Sequence, residues 1–181
     1  MKKLISSVLL LITGLLFSSC EKGSIDHTTL CRFTFLYSYH STSLIFVAAQ
    51  NPGYYVFVST RGDGKSVTRQ VNVESNDGRT EQNTIRTAVE NNFPYVLGTN
   101  NEIGLIIGMT NFDGLRAYDR CCPNCNLQRA LQWTGDKQHV KCNLCSRVYS
   151  LETGVVTDGE QGDILRRYNC SFNGESLNAW N

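Results

Sequence analysis

Two Cys-x-x-Cys pairs, Cys122/Cys125 and Cys142/Cys145, stand sixteen residues apart in a 181-residue chain, and no other feature limits the fold so tightly. A two-residue gap lets one turn present both thiolates to a single centre. A second such turn brought alongside completes a tetrahedron with metal–sulfur bonds of ~2.3 Å. The spacing therefore predicts that two distant turns meet, with Cys122, Cys125, Cys142 and Cys145 as metal ligands. Pro123, Asn124, Asn126 and Asn143 suit tight loops. Between the pairs, residues 130–133 read as one arm of a hairpin, Thr134-Gly135-Asp136 as its turn and residues 138–141 as the returning arm.

The N-terminus carries a second constraint. Lys2 and Lys3, an apolar run over residues 8–17 and small residues before Cys20 follow the order of a secretory signal. The run is too short to span a bilayer. A cysteine after Phe17-Ser18-Ser19 resembles a lipoprotein cleavage box. Residues 1–19 are thus expected to be a signal peptide, Cys20 the lipid attachment point, and residues 20–29 a tether. Membrane contact would come through the acyl chains, which hold firmly when there is more than one. Charged residues after such a cysteine resemble sorting signals, which places the protein in a bacterial envelope, at the outer membrane or cell surface.

Removing Lys2 and Lys3 takes the basic residues from 17 to 15 against 16 acidic ones. That balance gives no cationic surface for a nucleic acid, so none is expected as a partner.

The remainder predicts an all-β domain over residues 30–181. Cys31, Phe33, Phe35 and Tyr37 share one parity, the period of a half-buried strand. Residues 44–48, 54–59, 70–73, 95–97, 104–109, 115–118, 147–151, 154–157, 164–172 and 176–180 read as further strands. Between them fall turn clusters at 51–53, 61–64, 76–78, 111–114 and 173–174, rich in Gly, Asn and Asp. One segment departs: within 81–92, Ile85, Ala88 and Val89 have helical spacing and predict a short helix.

From Ala117 to Tyr168 the chain resembles the Rieske iron–sulfur proteins, whose signature is Cys-x-His, a gap of this length, then Cys-x-x-His, a small-residue turn, an aromatic and Thr-Gly. Tyr149, Leu151, Thr153-Gly154 and Gly159 match the later part of that pattern, and residues 164–168 resemble the strand returning to the base domain. The resemblance implies an antiparallel β-sandwich or barrel with a small rubredoxin- or zinc-ribbon-like metal subdomain at about 118–159. Both histidines are missing, with Asn124 and Cys145 in their places. In that family two histidines on one iron raise the reduction potential. Thiolates in their place remove the property behind its electron transfer, so the resemblance carries the fold further than the chemistry.

Three occupants suit the cysteines: a single zinc or iron ion, a [2Fe–2S] cluster, or disulfides formed in an oxidising compartment. A cluster built in the cytosol could not cross with a chain exported unfolded, and Lys2-Lys3 is not a twin-arginine signal. Arg120, Lys141 and Arg147 either favour the thiolates or are solvated surface. His139 is expected to be an exposed hairpin residue and Cys121 a spectator. Cys31 and Cys170 are either a disulfide or buried thiols. Trp133, Tyr149 and Phe172 read as core. No nucleophile–base set, phosphate loop or carboxylate pair points to an enzyme. The expected function is an envelope metal protein, with electron transfer and a metal-free surface scaffold as alternatives.

Overall fold

The computed structural model describes residues 24–61 and 68–181. The expected signal segment, Cys20 and residues 62–64 of one turn cluster lie outside them. In chain order the strands are β1 (Cys31–Leu36), β2 (Tyr54–Arg61), β3 (Gln70–Ser75), β4 (Thr80–Thr84), β5 (Tyr95–Leu97), β6 (Leu105–Met109), β7 (Leu115–Asp119), β8 (Gln132–Trp133), β9 (His139–Lys141), β10 (Val148–Ser150), β11 (Val156–Asp158), β12 (Arg167–Phe172) and β13 (Ser176–Trp180). Short helices α1 (Tyr37–His40), α2 (Leu44–Gln50) and α3 (Ala88–Asn91) join them.

Nine strands form one antiparallel sheet in the order β4-β3-β2-β6-β7-β12-β13-β1-β5, which curls into a half-barrel. The expected all-β class is therefore borne out. Alternation decides what fills the curl: Phe33 and Phe35 of β1, Val56 and Val58 of β2, Leu105 and Ile107 of β6, and Leu177 and Ala179 of β13 all point into one core. A fully buried residue of this kind contributes ~1.5–3 kcal/mol relative to exposure.

Helix α2 closes this core, packing on β2, β3, β6 and β13. Its first five residues include Leu44, Ile45, Phe46 and Ala48, all buried. The expected strand at 44–48 is thus a helix. An apolar run of this length is compatible with either form, because a helix buried all round shows no amphipathic stripe. The start is fixed by Ser43, whose hydroxyl accepts the Ile45 amide at 3.3 Å and contacts the Glu81 carboxylate.

The expected helix within 81–92 is also corrected. Residues 80–84 pair with β3 as an edge strand, from Glu74↔Thr80 to Gln70↔Thr84. Only Ala88–Asn91 is helical, begun by a capping box in which Thr87 and Glu90 satisfy each other's backbone amides. Ile85 is buried but Val89 is 51% exposed, so the apparent helical face has no packed surface.

Residues between β7 and β12 make a second antiparallel sheet, β11-β10-β9-β8. It lies on the outer face of the main sheet, where Tyr55, Phe57, Ile106 and Tyr118 pack against Leu131, Val140, Tyr149, Leu151, Val156 and Leu165. Strand β2 is therefore buried on both faces across residues 55–58. At the joint Phe57 stacks on Trp133 with ring centroids 3.7 Å apart, and the Arg120 guanidinium sits 3.8 Å from the Phe57 centroid. Gly108, opposite Tyr55 in the register, is required by this packing, since a Cβ there would overlap the Tyr55 ring.

Candidate metal centre

The first knuckle is a loop whose two ends are tied together. Cys121 bridges Ala130, the Cys122 amide donates to the Arg129 carbonyl at 2.8 Å, and the Leu131 amide donates to the Arg120 carbonyl at 2.9 Å. Asp119 anchors its entry. This fully buried carboxylate accepts from the Cys121 amide at 2.8 Å, the Thr99 amide and hydroxyl at 2.8 and 2.7 Å, and the Tyr168 hydroxyl at 2.9 Å. A buried carboxylate needs such donors to offset its lost hydration.

The second knuckle is the turn between β9 and β10. The Cys142 amide donates to the Arg147 carbonyl at 3.0 Å, and the Ser146 amide to the Cys142 carbonyl at 2.9 Å. Ser146 takes a left-handed conformation, φ 60°, which allows the chain to reverse just after Cys145. Gly159, φ 90°, passes so close that a Cβ would lie 3.2 Å from the Arg147 Cα.

These two turns bring four sulfurs together, as the spacing predicts. The ligand atoms of Cys122, Cys125, Cys142 and Cys145 all lie within 4.8 Å of one another, with Cys122–Cys145 at 3.7 Å and Cys125–Cys142 at 3.6 Å. The edge of a tetrahedron with ~2.3 Å metal–sulfur bonds is ~3.8 Å. Cys122 and Cys142 are buried, while Cys125 and Cys145 are partly exposed. Four thiolates would fill a tetrahedral coordination shell.

Polar groups are aimed at the sulfurs. The Tyr149 hydroxyl accepts from the Asn124 side-chain amide at 2.9 Å and is left to donate toward the Cys122 sulfur at 3.4 Å. Asn124 also donates to the Asp163 carbonyl at 2.7 Å and accepts the Asp163 amide at 2.8 Å. One side chain thus clasps the first knuckle to the segment before β12. Burial opposes ionisation of Cys145, yet hydrogen bonds from the backbone and guanidinium of Arg147, and from Cys142 and Cys125, bring its thiol down to about 6. Burial pushes the Cys122 and Cys125 thiols up, with neighbouring thiols adding to the effect at Cys125. A metal held here would displace protons, and its binding would weaken as pH falls.

The other expected residues divide. Arg147 serves the site and also pairs with Glu160 at 2.9 Å, whereas Arg120 is turned away onto Phe57 and Lys141 is exposed. Cys121 is buried outside the sulfur cluster, and the His139 ring hydrogen-bonds Asp136 at 2.6 Å. Tyr149 is core as expected, while Trp133 and Phe172 are partly buried against the two cores. The possible Cys31–Cys170 disulfide is corrected: both are free thiols, and β13 lies between β1 and β12. Two interstrand spacings, ~9.6 Å, exceed the reach of a disulfide.

The sequence reads Asp119 only as a turn carboxylate, Asn124 as a turn residue at the place of the first missing histidine, and Tyr149 as core at the aromatic position of the resembling pattern. Their only signal is position, beside or between the knuckles. Comparison of the chain with protein-family models, curated proteins and solved structures finds no match.

Proposed function

We propose that this chain is an envelope lipoprotein in which Cys122, Cys125, Cys142 and Cys145 hold a single tetrahedral zinc or iron ion, and that the ion fastens the small sheet to the large one. The observation that carries the reading is the 4.8 Å limit on all sulfur separations. A [2Fe–2S] cluster gives each iron its own pair of cysteines, which spreads sulfurs on opposite irons beyond ~5 Å. One ion suits the closer set. The knuckles are held by their own turns, the Asp119 anchor, the Asn124 clasp and the packing of the small sheet on the large one, and a bound metal would add its binding free energy to the folding of this region.

Lipid attachment at Cys20 rests on the residue order of the N-terminus, and kinship with Rieske domains on the knuckle spacing and on Tyr149 beside Cys122. Elemental analysis of protein isolated from native membranes without oxygen tests the metal reading. One zinc or iron per chain is expected. Two irons with sulfide and a visible chromophore would establish the cluster instead, and a metal-free chain with cysteines in disulfides would overturn both.

A further inference from the structure

The small sheet covers the outer face of β2, β6 and β7, and among the described residues it does not extend over the outer face of β12, β13 and β1. A shallow groove of about 460 Å³ runs over this face. The register sets its side chains in two rows: Arg32 opposite Trp180, and Thr34 opposite Asn178 opposite Ser171. Successive strands stand ~4.8 Å apart and successive outward residues ~6.8 Å, so the four-sided patch is on the scale of a sugar ring.

Its chemistry is specific. Trp180 is 42% exposed although it lies on a strand whose alternate residues are buried. The Thr34 hydroxyl donates to the Asn178 carbonyl oxygen at 2.9 Å, and the Asn178 amide donates to Ser176 at 3.0 Å, which holds that amide in one orientation with a donor and an acceptor to spare. The side chains of Arg32, Ser171 and Trp180 have no hydrogen-bond or ion-pair partner among the described residues.

A lone guanidinium does not suit a polyanion, and a lining without carboxylates does not suit a metal ion. An exposed indole beside amide, hydroxyl and guanidinium groups matches a ligand with an apolar C–H face and a rim of hydroxyls.

We propose that the groove formed by Arg32, Thr34, Ser171, Asn178 and Trp180 binds a saccharide chain, with one ring stacked on Trp180 and its hydroxyls hydrogen-bonded to Arg32, Asn178 and Ser171. This site is separate from the cysteines and does not depend on their occupant.

Calorimetric titration of the full chain with the neutral chains cellohexaose, mannohexaose and the hexamer of N-acetylglucosamine at millimolar concentration tests it. Saturable binding of at least one is expected, weakened at least ~tenfold by Trp180→Ala and by Arg32→Ala, with metal content unchanged. Both positions are exposed, and an unaltered melting curve checks that the variants fold. Absence of binding to all three, or binding that both variants retain, would overturn the proposal.

Discussion

Four thiols define the centre, but Tyr149 and Asn124 determine how the first knuckle meets the second. Cys145→Ser removes one of four ligands and should abolish stoichiometric metal, while Cys121→Ser, outside the sulfur cluster, should leave it intact. Metal analysis of the two purified variants distinguishes them. Tyr149→Phe keeps the buried ring and deletes the hydroxyl between Asn124 and Cys122. Retained metal with affinity reduced ~10–100-fold is expected, as for other groups that orient ligands, and competition with a chromophoric chelator measures it. Unchanged affinity would show that the hydroxyl does not act on the sulfur. The cysteine set was legible because spacing alone dictates it. Asn124 was not, since its partners lie at Tyr149 and Asp163, and nothing in a linear chain marks a clasp made across 39 residues.

At the scale of elements, the strands with clear alternation, such as β1 and β3, were readable because one face meets a core and the other does not. Helix α2 was misread because nearly every residue in it is buried, and periodicity carries no information where both sides are apolar. The edge strand β4 was misread because its polar residues Thr80–Thr84 gain their pairing from β3 and not from their own pattern. Two predictions belong here. Phe57→Ala removes the ring between Trp133 and Arg120 and should cost ~3–5 kcal/mol, read from denaturant unfolding, with the small sheet losing amide protection first.

The second concerns the turn at α3. Glu90 is buried, yet hydrogen bonds from Thr87 and His40 outweigh that burial and hold its carboxyl below the ordinary 4.5. A carboxyl more acidic in the folded state adds stability that is complete above its unfolded pKa and is lost as pH falls through the folded value. Stability should therefore decline below about pH 4.5, and Glu90→Gln should flatten that decline while costing about 1–3 kcal/mol at neutral pH. A wild-type acid limb identical to that of the variant would refute the assignment.

For the molecule as a whole, the chain places two cores on opposite faces of β2, β6 and β7, one closed by a helix and the other by a sheet that carries the four sulfurs. The main sheet has its own large core and needs no ion. Chelation should accordingly loosen the region from Cys121 to Asp163 and leave the nine-stranded sheet protected from amide exchange. The most direct measurement is X-ray absorption at the metal edge of the purified protein. The account predicts four sulfur neighbours at ~2.3 Å around one ion and no second metal in the same shell. A metal–metal distance, or a first shell of nitrogen and oxygen, would contradict it.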